Sequence, residues 1–239
     1  MSLILTSNKT DFVTSFPSPL MLEGDHELAL VNLETYNSIP NVIKDVTDSF
    51  TYSPDAGKTW IKIVVPTGSY ELDEIVTYIY GKLKENNHWN DAENTSYILL
   101  DGNLNTLKCE LNITDRRLQA DFRERTSLAK ILGFEAKIYS FGHHEAADTV
   151  SILSVNSVLV HCDLVSGSFV DGSAQPTLYS FFPNVSPGYK VVSAPHNLIY
   201  LPVTKNVVYS IRIWLTDQAG KAIDLRGETL TLRLHLKKC

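Results

Sequence analysis

His143, His144, Glu145 and Asp148 put four possible metal ligands into one short stretch. A metal needs side chains that converge, and adjacent histidines on an extended chain point to opposite sides. No Cys/His pair stands nearby at zinc spacing, so residues 137–148 read as a solvated loop. His161-Cys162-Asp163 has the composition of a thiol nucleophile with its base. On a strand, however, Cys162 faces away from both neighbours, which makes it a buried structural thiol. Gly68-Ser69 precedes a helical pattern and has the place of a phosphate-binding turn. The lysine of a P-loop is missing, so Ser69 reads as a helix cap.

Arg116, Arg117, Arg123, Arg125 and Lys130 form the most basic region. Asp115, Asp121 and Glu124 are interleaved with them, which reads as a charge-balanced surface and not a nucleic-acid track. Asp224, Arg226 and Glu228 read as a local ion-pair cluster. No Ser/His/Asp set, paired-carboxylate motif or glycine-rich nucleotide loop stands out. No catalytic, cofactor-binding or metal residue is therefore assigned, and the expectation is a protein that is not an enzyme and uses no cofactor.

The elements around these residues are strands. Leu230, Leu232, Leu234 and Leu236 alternate with Thr231, Arg233, His235 and Lys237. Such alternation is a half-buried strand, and this one closes the fold near the end of the chain. Before it, Val207, Tyr209, Ile211, Ile213 and Leu215 share a face. Further strands are expected at 27–36, 60–65, 97–100, 104–113 (with Leu107, Cys109, Leu111 and Ile113 inward), 118–122, 157–165, 177–182, 189–193 and 198–202, divided by Gly, Pro, Ser and Asn. One helix is expected from Tyr70 to about Glu85, because Leu72, Ile75, Val76, Ile79, Tyr80 and Leu83 recur at helical spacing. Gly133 is placed to end a short helical turn at 127–132. The pattern predicts an all-β, single jelly-roll sandwich of about eight core strands at residues 21–239. A polar N-terminal arm, residues 1–20, precedes it.

Bulk properties narrow the role. The 239 residues carry a formal net charge of −6, against a chain whose task is to coat nucleic acid. Three widely spaced cysteines suit a reducing compartment. The opening MSLILTSNKTDF lacks the form of a signal peptide, and no apolar run is long enough to span a membrane. Synthesis in the cytosol is expected.

Two passages go further. GDHELALVNLETYNSIPNV at 24–42 and SIRIWLTDQAGKAIDLRGETLTLRLHLKK at 210–238 resemble the penton-type capsid protein of Polinton (Maverick) elements and adintoviruses. PTGSYELDEI at 66–75, SLAKILGF at 127–134 and PHNLIYLPV at 195–203 add to the resemblance. It implies a single jelly roll that forms a homopentamer at icosahedral vertices, beside a double-jelly-roll major capsid protein. It also implies residence in the virion capsid after assembly in the host nucleus. It transfers no functional residue, since a capsid protein works through surfaces. Phe12, Phe16, Tyr179, Phe181, Phe182 and Tyr189 are the candidate contact aromatics. The other readings are an accessory capsid jelly roll of different stoichiometry, a TNF-like or carbohydrate-binding module, and a cupin-type enzyme. The last would require histidines that converge.

Overall fold

A computed structural model of the chain describes residues 1–152 and 155–239. The chain opens with three strands, β1 (Ser2–Ser7), β2 (Asp11–Met21) and β3 (His26–Tyr36). There follow β4 (Ser49–Ser53), β5 (Ile61–Val64), helix α1 (Leu72–Glu85), β6 (Trp89–Asn90), β7 (Thr95–Ser96), β8 (Ile98–Asn103) and β9 (Lys108–Ile113). Next come β10 (Gln119–Asp121), the short helix α2 (Ala129–Leu132), β11 (Ile138–Tyr139) and β12 (Gly142–Thr149). The last part holds β13 (Val158–Cys162), β14 (Ser168–Val170), β15 (Ser173–Gln175), β16 (Thr177–Phe181), β17 (Lys190–Ser193), β18 (Leu201–Pro202), β19 (Val207–Asp217) and β20 (Leu230–Lys238).

These elements form two compact units. One comprises Met1–Ile39 with Val155–Cys239, and the other is the continuous stretch Pro40–Ser154. In the first unit one sheet has the order β1-β20-β3-β17, with β18 also on β3, and the other has β16-β13-β19-β2. All these pairings are antiparallel. Among these eight long strands the first pairs with the last, and the second with the last but one. The third pairs with the sixth and the fourth with the fifth. That nesting is the jelly roll. Its core is aliphatic: Leu28, Leu30, Leu33, Val160, Ile211, Ile213 and the four leucines of β20 are all buried. The expected all-β jelly roll is therefore present, built from both ends of the chain.

The second unit enters the chain between β3 and β13. It contains the sheets β11-β10-β4-β5 and β12-β9-β8 with both helices, around a core of its own. That core is rich in rings. Phe122 stacks on Phe134 at 4.9 Å and meets Phe50 and Tyr139 edge-on. Gly133 ends α2 with φ +79°, and a Cβ there would lie 2.2 Å from the Asp148 carbonyl oxygen. No other residue fits that turn. Charge divides unequally as well. Residues 40–154 hold twelve Lys/Arg against seventeen Asp/Glu, a net −5, whereas the jelly roll holds nine against ten, a net −1.

Several expectations are corrected. Residues 1–20 are no arm, because β1 pairs with β20 and β2 with β19 along most of their lengths. The weak alternation there reflects edge strands covered on one face only. The jelly roll is not continuous over 21–239, since residues 40–154 form their own unit. The helix starts at Leu72 with Glu71 as its cap, where the Glu71 N–H donates to Glu74 Oε2 at 2.9 Å. Residues 104–107 belong to the β8–β9 turn, and Leu107 is exposed at φ +58° instead of inward. The stretch 137–148 is largely strand, β11 and β12, and not a loop. An irregularity in the β19–β2 pairing, between Val208 and Ser210, turns Val208 inward and leaves Tyr209 exposed. In β3 an extra residue opposite Arg233–Leu234 moves the inward face from Leu28 and Leu30 to Leu33. Neither bulge has a sequence signal as plain as a glycine.

Candidate assembly surface

A jelly roll leaves two lateral sides where its sheets end. At one of them β16 of one sheet lies beside β17 of the other, bridged by the Tyr179 hydroxyl and Ser193 Oγ at 3.1 Å. The β14–β15 hairpin borders β16, held where the Thr177 N–H donates to Ser168 Oγ at 2.9 Å. Between these pieces opens a groove of about 330 Å³ lined mainly by apolar residues, among them Leu30, Leu178, Leu201, Phe169 and Ile199. Its rim is unusually bare: Phe169 is 70% and Ile199 69% exposed. Phe182, Tyr189 and Val192 extend the apolar surface along the β16 and β17 edges.

The opposite side is made of β1 and β2, the other outer strands of the two sheets. It too shows apolar side chains: Ile4 on β1, and Val13 and Met21 on β2. Tyr209, on β19 next to β2, is exposed as well. Among the described residues no further strand pairs with β1, β2, β16 or β17, so each side offers backbone N–H and C=O groups for pairing. Single exposed apolar residues are ordinary; rows of them on two opposite sides are not.

Of the six candidate aromatics, Phe12 and Phe181 are core, Phe16 and Tyr179 are half-buried against that core, and Phe182 and Tyr189 are exposed. Phe12 and Phe181 are therefore not contact residues, because alternation alone does not say which face of a strand is inward, whereas Tyr179 lines the groove and Phe16 lies on β2. Phe169 and Ile199 were missed. Their signal was local, since GSFVDGSA and PHNLIYLPV are turn-dense segments too short to bury a large apolar side chain of their own.

The chemistry-bearing clusters disperse. His143 Nε2 lies 3.9 Å from Glu110, whereas His144 Nε2 contacts the Ser140 carbonyl at 2.7 Å. Among the described residues no three His, Cys, Asp or Glu side chains are gathered to hold a metal. Cys162 is fully buried, and desolvation pushes its thiol up to about 12. Its neighbour His161 is stacked on Trp214 and contacts the hydroxyls of Thr177 and Thr216 at 3.1 and 2.9 Å. Asp163 accepts from Lys205 and from the Arg212 N–H, so the three residues form no reactive set. Asp224 accepts the Arg226 N–H within a turn, and Arg226 forms no ion pair among the described residues, which corrects the expected cluster. Among the described residues no helix is long and apolar enough to cross a membrane.

No protein-family model and no curated protein matches the chain. Among solved structures, it is similar to the mavirus penton protein in selenomethionine-labelled form, at 11% identity and a TM-score of 0.47, over 100% of this chain and 99% of that one. The jelly-roll assignment rests on the strand order of the chain itself.

Proposed function

We propose that this protein is a structural capsid subunit of the penton type, and that five copies close into a ring at the vertices of an icosahedral shell. The observation that carries the reading is the pair of unlike apolar sides on one sandwich. A contact that joins one side of a copy to the other side of the next is heterologous, and repeated around an axis it closes into a ring. The groove at Phe169 and Ile199 receives the β1–β2 side of the neighbour, burying apolar rows that are costly to leave in water. The resemblance of residues 24–42 and 210–238 to Polinton and adintovirus penton proteins favours five copies. It also supplies the partner, a double-jelly-roll major capsid protein, and the location, a virion assembled in the host nucleus from protein made in the cytoplasm. In this reading the protein performs no catalysis.

Mass photometry of the purified chain tests it. The expected species is a pentamer, and the double variant Phe169→Asp/Ile199→Asp is expected to be a monomer with an unchanged thermal melt. A trimer would point to a TNF-like module instead. A wild-type monomer at all concentrations and on addition of the major capsid protein would refute the reading.

A further inference from the structure

We propose that the inserted unit carries a docking site for an acidic polypeptide segment, in the cleft flanked by Arg125 and Lys130. The inference is independent of the assembly reading. The cleft measures about 550 Å³, within the range of ligand-sized pockets, and is lined by α2, by the segment before it and by the end of β12.

Its charges sort into satisfied and unsatisfied ones. Arg123 is held by Asp121 through two hydrogen bonds of 2.9 and 2.8 Å, and Asp121 falls below the usual carboxylate range because of that guanidinium. Glu124 is held by Lys62 at 2.7 Å. Arg125 and Lys130 have no ion-pair partner among the described residues, although both line the cleft and are exposed. Lys44, Lys58, Lys84 and Arg116 of the same unit also have no ion-pair partner among the described residues, but of these six cations only Arg125 and Lys130 line the cleft. The remaining charge at the rim is Asp148, which opposes them.

A planar guanidinium and a mobile ammonium at one cleft suit carboxylates, with the arginine fork taking one of them in two-point fashion. A nucleic acid fits poorly. Two cations release few counterions, too few to grip a phosphate backbone, but they match the roughly two or three carboxylates of a short acidic run. The partner chemistry is thus a short run of Asp or Glu in a protein chain.

The test is a fluorescence-anisotropy titration of the whole protein with fluorescein-labelled hexaglutamate at low ionic strength. The double variant Arg125→Glu/Lys130→Glu should bind it at least about tenfold more weakly, a loss of roughly 1.4 kcal/mol. Asp148→Asn, which removes the opposing charge, should bind about threefold more tightly; this gain cannot come from misfolding. Salt of about 1 M, with a Debye length of about 3 Å, should abolish binding. Three results would overturn the proposal: equal hexaglutamate affinity in wild type and double variant, no binding by wild type, or tighter binding of a single-stranded oligonucleotide than of hexaglutamate. Displacement of the peptide by inorganic phosphate at equal concentration would likewise overturn it, since it would show a site for any small anion.

Discussion

The jelly roll and the inserted unit are held together by different means. In the jelly roll, regular strands contribute leucine, valine and isoleucine from alternate positions. Its pairings join residues near opposite ends of the chain: Leu5 faces Leu232, and the N-terminal ammonium donates to the Leu236 carbonyl at 2.6 Å. In the inserted unit, shorter strands and two helices surround a cluster of rings, and the core is drawn wholly from residues 40–154. One unit is assembled from distant segments by backbone ladders; the other is a local structure keyed by aromatic side chains. The first should be vulnerable to loss of a strand, and the second to loss of a ring.

The largest effect expected is from deletion of residues 229–239. This removes Leu230, Leu232, Leu234 and Leu236, all buried. At about 1.5–3 kcal/mol each they amount to roughly 6–12 kcal/mol. A whole domain is stable by about 5–15 kcal/mol. It also strips β1 and β3 of their common partner. The jelly roll should unfold, while the helical circular-dichroism signal, which comes from α1 in the other unit, should persist. Simultaneous loss of both would show that the inserted unit depends on its host.

The reciprocal change is Phe122→Ala. Phe122 touches Phe50, Phe134 and Tyr139, so its removal empties the middle of the ring cluster. A cost of about 3–5 kcal/mol is expected. In calorimetry a transition assigned to residues 40–154 should shift downward, and that of the jelly roll should stay. An unshifted scan would mean that the rings pack without adding to stability.

The contrast also explains what the sequence could show. The leucines of β20 and the Val158, Val160, Cys162 row of β13 were legible because strands with one face in a core write a period of two into the chain. The α1 periodicity was legible for the same reason. The second unit was not legible as a unit. Its strands are short, its turns at Leu107 and Gly133 use single residues at positive φ, and aromatic clustering has no period. The candidate assembly surface is half legible: the aromatic pattern points to Phe182 and Tyr189, both exposed, but bulges and edge positions decide exposure, and both depend on partners far along the chain. The interleaved charges pair Arg117 with Asp115 and Arg123 with Asp121, which leaves Arg116 over the Phe141 ring and Arg125 and Lys130 without an ion pair among the described residues.

A smaller, pH-dependent difference should distinguish the units. His161 is buried in the jelly roll between neutral partners, Thr177, Thr216 and Trp214, and desolvation lowers its pKa below the usual 6.5. The folded state therefore resists the proton that the unfolded state accepts. This contribution to stability is complete above pH 6.5 and declines as pH falls below that value toward the lowered pKa. Urea midpoints for the jelly roll should drop between about pH 7 and pH 5. In His161→Gln that part of the slope should vanish. An unchanged slope would assign the acid sensitivity to other groups.

The smallest perturbation uses the thiols as they stand. Cys162 lies in the jelly-roll core and Cys109 in the core of the inserted unit, both fully buried. Burial pushes both thiols up to about 12, so neither presents a thiolate at neutral pH in the native state. Cys239 is exposed and should react at once with an alkylating agent. Each buried thiol can then react only when its own unit opens. Labelling at increasing urea, read by peptide mass spectrometry, measures those two openings in one molecule. Because the jelly roll is closed by segments distant in sequence and the insert by local contacts, Cys109 and Cys162 should become reactive at different urea concentrations. Coincident midpoints would mean that the two cores, though built on different principles, unfold as one.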